Sequence, residues 1–220
     1  LAGLLIVSDD EETGLSLPKP EYEVPLVIQD RVFDANNQFV YADGDPMVKM
    51  MGLLGDKILV NGQTNVTLPL ATRIYRLRVL NGSNSRVYKL AWNNNLPMTV
   101  LGTDGGLLEK PVQRPYVMLA PGERLDLWAD FSQQKVGTQI KLQSLAYTGV
   151  EAGMMGGMMD TTALPNGAAF DILTVQMAKA ETETLQLPAK LTTLENYQLQ
   201  EAANRDQPRQ ILLGMSNMNW

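Results

Sequence analysis

The chain has 220 residues and a net charge of −6, with 45% hydrophobic and 19% charged residues, an ordinary composition for a globular protein. This acidic balance argues against a nonspecific nucleic-acid-binding surface, and no apolar run is long enough for a transmembrane helix. The absence of histidine and cysteine excludes a disulfide framework, a zinc finger, a thiol nucleophile, a serine–histidine triad and a copper site of two histidines and a cysteine.

The first residues predict a buried strand followed by a linker. Residues 1–7 are apolar, but no basic stretch precedes them, so we interpret them as a strand ending at Ser8 rather than as a signal peptide. The acidic residues 9–12 lead into a stretch that contains Pro18 and Pro20. This composition is typical of an extended, solvated linker.

The body of the chain predicts many short strands. Apolar or alternating runs are separated by turn sequences such as Asn61-Gly62 and Asn81-Gly82. The predicted strands are residues 24–29, 38–41, 57–60, 74–80, 86–92, 98–103, 116–119, 124–131, 138–145 and 170–177. Because helical periodicity is almost absent, the pattern predicts an antiparallel β-sandwich or barrel.

Charged residues alternate with apolar ones in several of these strands. Residues 74–80 therefore predict a half-buried strand with one charged face. Three aspartates are expected to face solvent for the same reason: Asp30, Asp126 and Asp130. Four arginines are expected to pair with carboxylates at domain faces: Arg76, Arg78, Arg86 and Arg124.

The last part of the chain is more polar. Residues 149–167 are rich in glycine and methionine and predict a loop. Residues 179–208 are polar, with one short helix predicted over 191–203. Residues 210–213 predict a final apolar strand.

Five motifs stand in order along the body, and together they resemble a known family. They are residues 24–31 (VPLVIQDR), 55–62 (GDKILVNG), 75–86 (YRLRVLNGSNSR), 102–108 (GTDGGLL) and 119–124 (LAPGER). In this order and spacing they resemble the middle domain of bacterial three-domain multicopper oxidases. That group includes laccases, spore-coat oxidases, bilirubin oxidases and cuprous oxidases.

The resemblance implies an all-β fold, a cupredoxin-like Greek-key β-sandwich with a polar, loop-rich C-terminal extension. It also implies a division of the chain. Residues 1–8 would be the last strand of the family's first domain, and 9–22 an acidic, proline-containing linker. Residues 23–178 would be the middle domain without copper ligands, 179–208 an interdomain linker, and 209–220 the first strand of the third domain.

The resemblance further implies a parent enzyme that couples one-electron oxidation of a phenolic or metal-ion substrate to reduction of O₂ to water. In the family, four copper ions are held by histidine and cysteine motifs outside the middle domain, in agreement with their absence here. We expect no copper in this chain and no activity from it alone. Its expected partners are the first and third cupredoxin domains, and a periplasmic or secreted location is implied.

By the same resemblance, the loop after residues 74–80 lies near the substrate pocket. Its polar residues are candidates to orient a phenol or another reductant: Asn81, Ser83, Asn84 and Arg86. The alternative interpretation is a turn in which these side chains make local hydrogen bonds. Asp104 has the same two interpretations, as a carboxylate for a phenol proton or as the acid of a tight turn.

A cluster of methionines is the sharpest local anomaly: Met154, Met155, Met158 and Met159. Thioethers suit Cu(I), and some cuprous oxidases of this family carry methionine-rich insertions, so these residues are candidates for weak Cu(I) binding. Neighbouring glycines disfavour the helix that would place all four on one side. The alternative is flexible apolar filler.

Two other functions remain open at this point. One is a non-catalytic β-sandwich binding module of the same ancestry, and the other is a methionine-based Cu(I)-handling protein. If the chain is instead a segment of an oxidase, the isolated piece is expected to be marginally stable or to associate, because its interdomain faces are uncovered.

Overall fold

The computed structural model describes residues 3–41, 44, 48, 52–148, 164–195 and 197–212. The described strands are β1 (Glu23–Phe33), β2 (Phe39–Val40), β3 (Lys57–Val60), β4 (Thr67–Ala71), β5 (Ile74–Asn81), β6 (Tyr88–Trp92), β7 (Met98–Thr103), β8 (Gly106–Arg114), β9 (Val117–Leu119), β10 (Arg124–Asp130), β11 (Gln139–Ser144) and β12 (Phe170–Lys179). Helical elements include α1 (Asp10–Thr13) and the 3₁₀ turns Pro20–Tyr22 and Leu199–Glu201. Within these ranges, no helix has the length and hydropathy needed to cross a membrane.

The strands form two stacked sheets. The seven-stranded sheet has the order β2-β1-β5-β10-β7-β8, with β3 also paired to β1, and the five-stranded sheet has the order β4-β12-β11-β6-β9. Consecutive strands repeatedly change sheet, as in Greek-key sandwiches. The predicted all-β sandwich is therefore confirmed. The purely antiparallel arrangement is wrong, because β1 runs parallel to β5 and β4 runs parallel to β12.

The main core lies between the two sheets. Leu77 and Leu127 point into it from the seven-stranded sheet, and Leu90 and Leu142 from the five-stranded sheet, each at most 2% exposed. Side chains that alternate along each strand fill this space, as expected for a sandwich. The close-packed core gives the loops at its ends a rigid base.

The predicted strands agree well with the structure, with two omissions. β3 and β7 occupy the predicted residues, whereas β4 and β8 are not predicted. The two missed strands contain Pro69 and Pro111, which weaken a strand pattern in the sequence. Both strands lie at sheet edges, where a residue without an N–H group is tolerated.

The N-terminal residues differ from the prediction. Residues 3–9 have no regular secondary structure and Leu5 is 89% exposed, so the predicted buried strand is not present over residues 3–7. The extended, solvated conformation predicted for residues 9–20 is present only in part, because Asp10–Thr13 is helical although most of the stretch is exposed. Asp9 Oδ1 accepts the Glu12 N–H at 2.8 Å and caps α1, and Leu17 is buried.

The C-terminal residues also differ. Over residues 191–195 and 197–203, the 3₁₀ turn Leu199–Glu201 is the one helical element, so the helix predicted for 191–203 is wrong. Residues 210–212 are irregular, and Leu212 is 93% exposed. The rest of the predicted final strand lies outside the described residues.

Candidate functional site

The loop after β5 is held in place by its own side chains. Asn81 is fully buried, and its Nδ2 donates to the carbonyl oxygens of Arg86 at 2.8 Å and Leu119 at 2.9 Å. Its Oδ1 accepts the N–H of Ser83 at 2.9 Å. These bonds use both ends of the amide, as the turn interpretation requires. Asn81 therefore sets the conformation of the loop.

Arg86 forms a buried ion pair with Asp30. Both side chains are 0% exposed, and Nε lies 2.9 Å from Oδ2. The guanidinium also donates to the carbonyl oxygens of Gly55 at 2.8 Å, Leu164 at 2.7 Å and Pro165 at 3.1 Å. A buried charge is stable only when it is paired and hydrogen-bonded, and this arrangement supplies both. Arg86 therefore connects β1 to the backbone at Gly55 and at residues 164–165.

Ser83 connects this ion pair to a buried tyrosine. Its Oγ accepts the Asp30 N–H at 3.1 Å and lies 2.7 Å from the Tyr88 hydroxyl. Burial, together with the charge of Asp30, raises the pKa of Tyr88, so this hydroxyl stays protonated at neutral pH. The polar groups of Asn81, Ser83 and Arg86 are thus bonded within the interior.

Among the predicted site residues that the structure describes, Asn84 and Asp104 have exposed side chains. Asn84 Oδ1 accepts from Arg31 Nη1 at 3.4 Å, and its Nδ2 donates to the Tyr41 hydroxyl at 3.5 Å. Asp104 Oδ1 accepts from the main-chain N–H of Arg124 at 2.9 Å and from its Nε at 2.7 Å. Asp104 thus connects its turn to the start of β10, while its side chain remains 45% exposed.

The sheet brings these two exposed residues to the same end of the sandwich. β5 and β7 both pair antiparallel with β10, and residues at the start of β10 lie opposite Leu80 and Gly102. The Asn84 loop and the Asp104 turn therefore leave the same end of the seven-stranded sheet. Their sequence separation hides this shared end of the sheet, which follows from the strand order.

A cavity of about 510 Å³ lies on the outer face of the seven-stranded sheet, beside Asp104. On its floor, Arg76 is 1% exposed and pairs with Asp126 at 2.6 Å and Glu12 at 2.8 Å. Burial alone would lower the pKa of Arg76, but the bonds to these carboxylates outweigh it and raise the pKa. Arg76 therefore remains a cation beneath the cavity.

The charged side chains of the strands agree in part with the sequence predictions. Pairing of arginines with carboxylates is confirmed, whereas solvent exposure is wrong for Asp30 and Asp126, which are 2% and 7% exposed. Asp130 is exposed, as predicted. The charged face of β5 is covered rather than open, because Arg76 lies under the segment that carries Glu12.

Two glutamates that the sequence analysis does not single out fasten flanking segments to the sandwich. Glu12 does so through Arg76, and Glu183 accepts the Ile74 N–H at 2.8 Å and pairs with Arg73 at 3.3 Å. Neither glutamate belongs to a motif. The available signal is indirect, since arginines on an otherwise apolar strand need carboxylate partners from elsewhere.

The described residues of this chain do not fit a copper centre of the kind built from histidine and cysteine ligands. Across the described residues, no group of three or more His, Cys, Asp or Glu side chains could hold a metal ion, and the sequence contains no His or Cys. Imidazole and thiolate donors set the geometry and potential of protein copper sites. The four predicted Cu(I) candidates lie outside the described residues: Met154, Met155, Met158 and Met159.

Similarity to known proteins extends over the whole chain. It is 30% identical over its full length to a laccase of Bacillus subtilis (strain 168), of which it spans 44%. It is 38% identical to a laccase of Bacillus stratosphericus over 143 residues, 60% of this chain and 28% of that protein. The cell division protein FtsP of Xenorhabdus nematophila is 40% identical over 136 residues, again 60% of this chain and 28% of that protein. No protein-family profile matches the chain.

Solved structures give the same picture. A variant of the multicopper oxidase McoA from Aquifex aeolicus superposes with a TM-score of 0.74 at 30% identity, covering 89% of this chain and 41% of that protein. A laccase from Pediococcus acidilactici gives a TM-score of 0.70 at 30% identity, covering 88% and 37%. The chain thus spans less than half the length of these proteins. From both comparisons, the chain belongs to the multicopper oxidase family and has that family's cupredoxin-like β-sandwich.

Proposed function

We propose that this chain is the copper-free central part of a laccase-like multicopper oxidase. The parent would couple one-electron oxidation of a phenolic or metal-ion substrate to reduction of O₂ to water. The supporting observation is that the whole of this chain is similar to part of a laccase, although the chain has no histidine or cysteine. The donors for all four copper ions would therefore lie elsewhere in the parent, in its first and third cupredoxin domains.

Within that parent, the proposed role of this sandwich is support and one part of the substrate-pocket wall. Asn81, Ser83 and Arg86 would act indirectly, since their polar groups hold the loop rather than face outward. Direct contact with a reductant is proposed for Asn84 and Asp104. They are exposed and leave the same end of the sheet.

The proposed division of the parent follows the family. Residues 1–8 and 209–220 would belong to the neighbouring domains, 9–22 and 179–208 would be connecting segments, and 23–178 would be the middle domain. A periplasmic or secreted location is part of the same proposal. It rests on the family and not on a targeting signal in this chain.

A copper-dependent oxidation assay tests this function. The purified 220-residue chain with added copper should not oxidise a phenol faster than free copper ions do, because it offers no imidazole or thiolate donors. The protein from the complete reading frame should do so. Turnover by the chain alone would contradict the proposal, as would a complete, copper-loaded protein that oxidises neither phenols nor metal ions.

A non-catalytic parent is the second candidate, because FtsP proteins match the chain at up to 40% identity. Such a parent would use the sandwich for binding rather than for oxidation. The flanking sequence discriminates between the two candidates. Histidine-rich copper motifs on both sides of the sandwich favour the oxidase, and their absence favours the binding protein.

The methionine candidates give a separate proposal, weak binding of Cu(I) by Met154, Met155, Met158 and Met159. Soft thioether sulfur is a suitable donor for that ion. A competition titration with a Cu(I) chelator would compare the wild-type chain with a variant in which all four are changed to leucine. The variant should bind Cu(I) more weakly, and equal affinities would remove the proposal.

A further inference from the structure

Two segments from opposite ends of the sequence cover the outer face of the seven-stranded sheet. We call residues 9–19 the leading segment and residues 181–194 the trailing segment. Leu17 of the first and Leu191 of the second are 9% and 2% exposed and belong to one hydrophobic cluster. The sheet contributes Ile74, Leu101 and Trp128 to the same cluster. This second core therefore needs all three parts of the chain.

The leading segment is fastened by charge. Glu12 Oε1 lies 2.8 Å from Arg76 Nη1 and 2.9 Å from Arg78 Nη2. The two arginines also share Asp126, at 2.6 and 3.2 Å. Arg76 is 1% exposed and also pairs with Glu23 at 3.1 Å, so losing Glu12 would leave this buried cation with two carboxylate partners instead of three, which is unfavourable. Ion pairs therefore attach the leading segment to β5.

The trailing segment is fastened at both of its ends. At the start, Glu183 accepts the Ile74 N–H at 2.8 Å and pairs with Arg73. Near the end, the Leu191 N–H donates to the carbonyl oxygen of Glu109 at 2.8 Å, on the edge strand β8. The segment therefore spans the sheet from β5 to β8 and also covers part of an exposed strand edge.

The two segments also touch each other. The Thr192 hydroxyl donates to Glu11 Oε1 at 2.5 Å, beside the shared cluster of Leu17 and Leu191. We propose that the two segments form one clasp, in which docking of either segment stabilises docking of the other. Thermodynamic coupling of this kind is reciprocal, so a change in either segment must be felt in the other.

The clasp suggests how neighbouring parts of a parent protein could be linked. If the segments connect the sandwich to the preceding and following domains, coupling them makes the position of one connection depend on the other. That consequence rests on the proposed function. The coupling itself is a property of these 220 residues and can be measured without any oxidase activity.

Hydrogen exchange on the 220-residue chain tests the coupling. Leu17→Ala should raise amide exchange at Leu191 about tenfold, because the shared cluster loses packing next to the trailing segment. Leu191→Ala should raise exchange at the Thr13 and Gly14 amides, which donate to the carbonyl oxygens of Asp9 and Asp10. Reciprocal effects of similar size support the clasp.

A matched control separates coupling from general loss of stability. Leu68→Ala removes a leucine side chain that is partly buried in the main core, from the part of β4 that pairs with Val175 in the other sheet. The clasp is wrong if Leu68→Ala raises exchange at Leu191 as much as Leu17→Ala does, or if neither segment responds to the other.

A milder variant serves if Leu17→Ala does not fold. Thr192→Val removes only the hydrogen bond to Glu11. It should raise exchange at Thr13 and Gly14 by a factor of about two to five, in keeping with the modest net energy of one hydrogen bond. Unchanged exchange would overturn the direct link. An inactive parent enzyme would defeat the proposed function and leave these exchange results intact.

Discussion

Acidification should release the trailing segment through Glu183. Its carboxylate accepts N–H groups of Ile74 at 2.8 Å, Thr184 at 2.7 Å and Leu185 at 2.8 Å, and it pairs with Arg73. Burial opposes ionisation of this side chain, which is 7% exposed. The backbone N–H groups and Arg73 outweigh burial and lower the pKa of Glu183 to about 2.

The direction of the pH effect follows from this lowered pKa. The folded state holds the proton less tightly than the unfolded chain, in which the pKa is near 4.5. The stabilisation is therefore complete above about pH 4.5 and is lost as the pH falls toward 2. A pKa change of this size corresponds to roughly 3 kcal/mol, and solvent screening reduces the expected value to about 2 kcal/mol.

The assay is urea unfolding followed by tryptophan fluorescence, since Trp128 lies in the cluster beneath the trailing segment. Glu183→Gln puts an amide against backbone donors and should destabilise the chain by about 2 kcal/mol at pH 7. The difference in the free energy of unfolding between wild type and variant should decrease steadily from pH 5 to pH 3. Glu195→Gln, at an exposed position of the same extension, is the control and should have little effect. A gap that stays constant over this pH range would refute the reasoning.

Two further predictions concern the region around Arg86, both measured by urea unfolding. Gly55→Ala would place a Cβ 2.2 Å from the Arg31 amide nitrogen and should destabilise by about 2 kcal/mol or more, whereas Gly105→Ala meets open space and should change stability by less than about 0.5 kcal/mol. Equal effects would contradict the close approach. Arg86→Gln leaves Asp30 buried and unpaired and should destabilise by about 3–5 kcal/mol, and adding Asp30→Asn should recover part of that loss. A double variant no more stable than the single one would argue against the ion pair.

Local patterns in the sequence predict most of the strands because each strand carries its own signal. Alternation marks β10, and an Asn-Gly turn marks the end of β3. The signal fails where proline interrupts a run, as in β4 and β8. Prolines there are compatible with the fold only because both strands lie at edges, which depends on the strand order of the whole sheet.

The errors about charge have a different origin. Alternation along β5 correctly separates two faces but does not reveal what covers the charged one. That cover comes from residues 9–19 and 181–194, which are far away in the sequence and have the composition of linkers. The same limit explains Asp30, which looks solvent-facing on its strand and is buried because Arg86 reaches it from 56 residues away.

For the candidate site, the sequence predicts which loop carries polar residues, and the position of that loop beside a substrate pocket stays a prediction. The loop after β5 lies at one end of the sandwich, and the strand order places Asp104 at the same end. The roles of its residues depend on partners that only the fold reveals. The side chains of Asn81 and Arg86 donate hydrogen bonds to backbone carbonyl groups in the interior. These residues of the motif therefore stabilise the loop.

Similarity to both laccases and a cell division protein bears directly on what this sandwich contributes. One fold hosts several functions, so the reaction must be argued from donor groups and not from the sheets. This chain has no histidine or cysteine, and its buried arginines Arg76 and Arg86 form ion pairs with Asp126 and Asp30. In this chain, the region provides buried ion pairs that hold loops and flanking segments in place. Substitution of Glu12 or Glu183 should therefore lower the free energy of unfolding of either kind of parent. Loss of copper donors elsewhere should reduce activity only in an oxidase.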